Sequence, residues 1–430
     1  MAAKKIKITF CGGAGAVTGA NFLLEDPGST NSQSSSDYGA GATGLKVLVD
    51  CGLVQGTKAQ EKINFEPFPY NPATIDAVFI THAHLDHIGR LPKLVKEGFK
   101  GKIYATPPTK EITELSLLDA LGIMDKENKS EDIPRLFDEE DVKKTMTMWQ
   151  TVGYHEPVKM GDFAVVLRDS GHILGSAMVE FTYVRPSTGA ALKPSGQKIV
   201  FTGDLGNSPA PLLRDTEKVT DANYLIMESV YGDRAHEGQS ERREKLEDII
   251  EETMRQGGVL LIPAFSIERT QELLFEIENM MENSRIPLVP VFLDSPLAIK
   301  VTAVYKKYED YLNKETKYII DNGDGIFKFA QFHETMGTEE SRAIDAFNIK
   351  KIIMAGSGMS NGGRIIHHEK KYLPDPRTTL LLAGYQGVGS LGRVIQDGAK
   401  TVRILGEEVP VNAKVVSLSG YSAHKDMNGL

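Results

Sequence analysis

The chain has 430 residues, 41% hydrophobic and 25% charged, the composition of a folded globular protein with room for two or three cores. A net charge of −9 argues against a broad basic face that binds nucleic acid by counterion release alone, although dications and a few arginines inside a cleft can still neutralise phosphates. No run of about 18 apolar residues exists and Met1–Lys7 has no apolar leader core, so a membrane-free, cytoplasmic protein is expected.

The pattern begins with a short strand and glycine-rich turns. Cys11 and Cys51 each lie beside a glycine at a strand end and read as small buried hydrophobes of a reducing compartment. Residues 26–44, rich in Ser, Gly and Asn, read as a flexible excursion at a hairpin tip with no chemistry. Leu45–Val49 is a strand ending in the carboxylate of Asp50. Asp76–Ile80 is a buried apolar strand, and residues 108–150, including the only tryptophan, Trp149, are helical in pattern. Further strands are expected at Ala164–Leu167 and Lys198–Phe201.

After Asp204 the texture changes. Ser240–Gln256 is an amphipathic helix stopped by Gly257-Gly258. Strands at Val259–Ala264, Leu288–Leu293, Lys351–Ala355 and Thr379–Ala383 alternate with helices near 267–283, 297–312 and up to Tyr372. That alternation predicts a parallel, Rossmann-like sheet, inserted as a domain over roughly 210–383.

The chemistry concentrates in His82-Ala83-His84-Leu85-Asp86-His87. Four metal-binding side chains fall within six residues directly after a buried strand, and neutral imidazoles with carboxylates are what zinc prefers. A turn there can aim His82 and His84 at one ion, and Asp86 and His87 at a second. Two segments can complete the sites. Ser170-Gly171-His172-Ile173-Leu174-Gly175-Ser176 places His172 in a glycine-flanked turn. Thr202-Gly203-Asp204-Leu205-Gly206-Asn207 places Asp204 after a strand.

HxHxDH resembles the signature of the metallo-β-lactamase superfamily, an αββα sandwich carrying one or two metals. Later segments resemble its β-CASP branch, a set of nucleic-acid phosphodiesterases. They are Met227–Arg234, Ile262–Leu273, Asp294-Ser295-Pro296-Leu297, Ala355–Met359 and Ser419-Gly420-Tyr421-Ser422-Ala423-His424. The resemblance implies that His82, His84 and His172 hold a first zinc, that Asp86 and His87 belong to a second, and that Asp204 bridges them. It also implies that Asp50 orients ligand histidines. Asp86, Glu228 and His424 form the implied catalytic set, His424 as acid for the leaving 3′-oxygen and Glu228 as its orienting carboxylate. Arg269 is placed to reach a phosphate, and Ser357, Gly358 and Ser360 precede a helix whose backbone N–H groups can cradle one. His155, His236, His333, His367 and His368 are read as ordinary surface or core residues.

The expected domains are 1–208 (metallo-β-lactamase, first part), 209–383 (inserted β-CASP domain) and 384–430 (metallo-β-lactamase, second part). The family carries one more histidine motif after that of His424, and the chain stops at Leu430 without it. The expectation is therefore a C-terminally truncated form whose second zinc site is incomplete and whose RNA-or-DNA marker is missing. The function implied is a zinc-dependent phosphodiesterase that cleaves single-stranded RNA with a metal-activated hydroxide, endonucleolytic and also able to act from the 5′ end. A homodimer is a further expectation. Alternatives are a DNA-acting β-CASP nuclease, or a catalytically weak RNA-binding subunit.

Overall fold

The computed structural model describes residues 5–27, 44–131, 133–184, 196–236, 238–323, 325–347 and 349–430. The excursion expected over 26–44 lies almost wholly outside the described residues. The chain forms two compact units, one of residues 1–206 with 215–230, the other of 207–214 with 231–430.

Among its described residues the first unit contains two sheets. One runs β1 (Lys7–Gly12), β2 (Asn21–Asp26), β3 (Leu45–Val49), β4 (Ala77–Phe79), β5 (Lys102–Ala105), β6 (Trp149–Thr151) in chain order. Its first two pairings are antiparallel and the rest parallel. The other sheet holds β7 (Val158–Met160), β8 (Phe163–Asp169), β9 (Ala177–Tyr183), β10 (Lys198–Phe201) and β11 (Tyr224–Ile226), ordered β11-β10-β9-β8-β7. β8 alternates strictly, burying Phe163, Val165, Leu167 and Asp169, as one strand face over a core must. Phe163, Val165 and Leu167 join Val47, Val49 and Phe79 of the first sheet and Phe181 and Phe201 of the second in one core. The other face of the first sheet, Leu48, Val78 and Ile103, packs on Leu91, Leu94, Leu117 and Val142 from helices.

The helical expectation over 108–150 resolves into two helices, Pro107–Glu131 and Glu139–Thr147. Pro134 cannot continue a helix. Asp138 caps the second one in a reciprocal box with Asp141. Trp149 opens strand β6 instead of closing a helix.

The second unit is built on a six-stranded sheet ordered β14-β13-β15-β12-β16-β19, parallel throughout. Its strands are β12 (Val259–Pro263), β13 (Val291–Asp294), β14 (Phe332–Glu334), β15 (Lys351–Ala355), β16 (Thr379–Leu382) and β19 (Lys414–Ser417), with β17 (Thr401–Ile404) and β18 (Glu407–Pro410) forming a separate hairpin. β12, β13, β15 and β16 are buried along their whole length, which explains their continuous apolar sequences. By packing, residues 384–430 continue this unit: β19 pairs in register with β16, Thr379 opposite Lys414.

Candidate metal centre

Three strand ends of the first unit converge on one point. β4 leads into His82 and His84. His84 is the N-cap of a four-residue helix, Leu85–Ile88, that carries Asp86 and His87. The turn after β8 supplies His172, and the turn after β10 supplies Asp204. His82 and His172 are fully buried.

Their ligand atoms face one another. His84 Nδ1 lies 3.1 Å from His82 Nε2 and 3.2 Å from His172 Nε2. Asp204 Oδ2 lies 3.4 Å from His82 Nε2 and 3.6 Å from His172 Nε2. A tetrahedron with the arms of about 2.0–2.1 Å that first-row divalent ions make to imidazole has edges of about 3.3–3.4 Å. The four atoms therefore outline the coordination shell of one such ion, and the donor set, three imidazoles and a carboxylate, suits it. The other oxygen of Asp204 is 3.4 Å from His87 Nε2, which is 3.9 Å from Asp86 Oδ2. This second trio shares Asp204 with the first group.

A buried network aims these ligands. Asp50, wholly buried, takes its main-chain N–H to Phe79 and adopts φ +61°, a left-handed conformation that aspartate tolerates better than most residues. Its Oδ1 accepts the Thr81 N–H at 2.8 Å. Its Oδ2 accepts the Thr81 hydroxyl at 2.8 Å and lies 2.7 Å from His87 Nδ1. His87 thus hydrogen-bonds Asp50 through Nδ1 while its Nε2 faces Asp204. Thr81 Oγ1 also lies 3.1 Å from His82 Nδ1. Gly203, at φ +54°, is needed beside this threonine, because a Cβ there would sit 2.6 Å from the Thr81 side chain.

The electrostatics oppose burial with charge. Burial disfavours the imidazolium of His87, yet Asp204, Asp50 and Asp86 outweigh it and hold its pKa well above the usual histidine value. Burial likewise opposes ionisation of Asp204, and His87 and His82 overcome it and hold that carboxyl well below its usual range. For Asp86 burial prevails and its pKa is raised. A cation is what such a cluster of buried carboxylates and imidazoles would otherwise lack.

The metallo-β-lactamase superfamily model matches residues 40–263, and the Beta-Casp domain model matches 270–395. Ribonuclease TTHA0252 of Thermus thermophilus is 38% identical over 389 residues, covering 90% of this chain and 85% of that protein. The RNase J-like protein of Methanocaldococcus jannaschii is 33% identical, with 90% and 82% covered. Transcription termination factor FttA of Methanosarcina mazei is 32% identical over 99% of this chain and 64% of its own length. The chain belongs to the metallo-β-lactamase superfamily, in its β-CASP branch. It is a metal-dependent hydrolase, and the fold class is the one its motifs led us to expect.

The remaining β-CASP motif residues fall in varied settings. Glu228, half-buried past the end of β11, accepts the Leu205 N–H at 2.5 Å, next to Asp204 in the chain. His424 is half-buried in the turn after β19, in the second unit. Arg269 is buried and ion-pairs with Glu272 on its own helix at 3.2 Å. Ser360 is buried too. Its hydroxyl donates to Glu369 at 2.5 Å, and its N–H donates to the Ser357 carbonyl. The Ser357 N–H donates to Gly362, so two of the loop's N–H groups are used inside the loop, and a Cβ on Gly358 would sit 2.6 Å from the Phe265 ring.

Sequence reasoning passed over two groups. Thr81 had one available signal, a hydroxyl directly before HxHxDH. His368 is a core histidine, and no sequence signal marks its partner: it lies 2.7 Å from the wholly buried Asp294, which also accepts from Thr335, Ser341 and Arg364.

Proposed function

We propose that the chain is a zinc-dependent ribonuclease acting on single-stranded RNA in the cytoplasm. The convergence of His82, His84, His172 and Asp204 within tetrahedral reach carries the reading. The names of the relatives, a ribonuclease and an RNase J-like protein, support RNA as the substrate. In this reading His82, His84 and His172 hold the first ion, Asp86 and His87 serve the second, and Asp204 is shared. Bound divalent ions supply Lewis acidity, lowering the pKa of water and offsetting charge on the phosphoryl oxygens.

The chain's own residues do the rest. Asp50 and Thr81 fix the imidazole orientations. Asp86 is counted among the catalytic carboxylates beside the ligands. His424 is the general acid and Glu228 its carboxylate partner in the reaction. The oxygen of water adds to phosphorus, one of its protons passing to solvent and the other staying with the new phosphate group, and the P–O3′ bond breaks. The proton that leaves His424 goes to the departing 3′-oxygen, giving a 5′-phosphate and a 3′-hydroxyl.

The test incubates the chain with labelled single-stranded RNA after chelation and after zinc is restored. Cleavage that vanishes with chelator and returns with zinc is expected, with single-stranded DNA cut more slowly. Absence of cleavage with zinc restored and bound overturns the reading.

A further inference from the structure

His236, read from sequence as an ordinary histidine, is bonded to the main chain of His424 itself. Its Nε2 lies 3.0 Å from the His424 carbonyl oxygen, and its own N–H donates to Asp426 at 2.9 Å. A carbonyl only accepts, so this contact fixes the hydrogen on Nε2. Burial holds the His236 pKa below the ordinary histidine value. The Tyr231 ring packs edge-on against it, centroids 4.5 Å apart.

The anchoring continues on both sides of His424. The Asp426 carboxylate also accepts from the N–H groups of Asn428 and Gly429, at 2.9 and 3.1 Å. The Met427 N–H donates to the Arg234 carbonyl at 3.1 Å. Four residues upstream, the buried Arg242 donates to the Gly420 carbonyl at 2.7 Å and lies over the Tyr421 ring. The turn that presents His424 is therefore held at both ends by groups from 231–242.

We propose that His236 is a positioning residue for the proposed general acid, fixing the main chain of His424 through a hydrogen bond to its carbonyl. The inference rests on the reading of His424 as that acid. A turn free to shift by about an ångström would misplace the proton donor, and misplacement on that scale is enough to cost large factors in rate.

The test uses the whole chain with two substrates. Labelled RNA has a poor leaving alkoxide that needs a proton. Bis(p-nitrophenyl) phosphate releases a phenolate that does not. His236→Phe keeps a ring against Tyr231 and removes the donor. We expect kcat on RNA to fall roughly tenfold, a part of the 10²–10⁴ that general acids contribute, with KM and metal content unchanged and a much smaller loss on the aryl ester. His236→Gln, which keeps an N–H near the same place, restores most of the rate. His236→Asn, too short to reach, gives the loss again should the Phe variant fail to fold.

His424→Ala run in parallel separates the two claims. If it loses equally on both substrates, the acid reading fails and the inference falls with it. If it shows the RNA-selective loss while folded His236 variants keep full kcat on RNA, the acid reading stands and the positioning role alone is overturned.

Discussion

Asp50 illustrates how one residue sets the chemistry of its neighbours. A buried carboxylate with φ +61° is held by donors from Thr81, and its other contact faces His87 Nδ1. Removing the Thr81 hydroxyl while keeping its shape leaves Asp50 one bond short and His82 without the oxygen 3.1 Å from its Nδ1. Thr81→Val should therefore lower metal affinity by about 10–100-fold, the usual effect of losing such an outer partner, read by competition against a chromogenic chelator. Unchanged affinity would mean that the Thr81 hydroxyl takes no part in aiming the imidazoles. The candidate ligands stand out in the sequence because HxHxDH packs four metal-binding side chains into six positions after one strand. Thr81 stands out less: a threonine at a strand end is ordinary β chemistry, and only the fold reveals that its hydroxyl turns toward Asp50.

Elements whose role depends on burial were less legible than those marked by local pattern. The loop after β15 has the residues of a phosphate cradle, and its Ser360 hydroxyl turns inward to Glu369 on the following helix, Ile365–Tyr372. Burial raises the Glu369 pKa from 4.5 to about 8 against the lowering effect of that bond. A carboxyl whose folded pKa is raised binds its proton more tightly in the native state than in the unfolded one. Between about pH 4.5 and 8 the unfolded chain has released that proton and the native state has not, so stability falls as pH rises through this window, by on the order of 5 kcal/mol in all. Glu369→Gln has no proton to lose. Its stability in denaturant titrations should thus decline less than that of the unmodified chain from pH 5 to pH 9, and parallel curves would show Glu369 ionised in the native state. The same lesson applies to Arg269. Its position at a helix start after β12 was readable, but its pairing with Glu272 inside the protein was not.

At the scale of the molecule, the chain-order alternation of strands and helices was enough to predict the parallel sheet of the second unit, because each βαβ unit is local. The pairing of β19 with β16 spans more than thirty residues of sequence, leaves no local trace, and assigns the last segment to this sheet. In the proposed centre the candidate ligands come from both sheets of the first unit: His82 and His84 follow β4 of one, and His172 and Asp204 follow β8 and β10 of the other. A bound ion therefore joins the ends of two sheets that otherwise meet through the apolar core around Phe79 and Phe181. Its contribution grows with free metal as RT ln(1 + [M]/Kd), about 4 kcal/mol at a thousandfold excess over Kd, and it acts on the segments that carry ligands. Chelation should accordingly speed amide hydrogen exchange at 81–88, 170–176 and 202–206 together. The strands β12, β13, β15 and β16, which carry no ligand and have neighbours on both edges, should keep their protection. Faster exchange confined to 81–88 would mean that the ion rests on HxHxDH alone, with the second sheet contributing nothing to its hold.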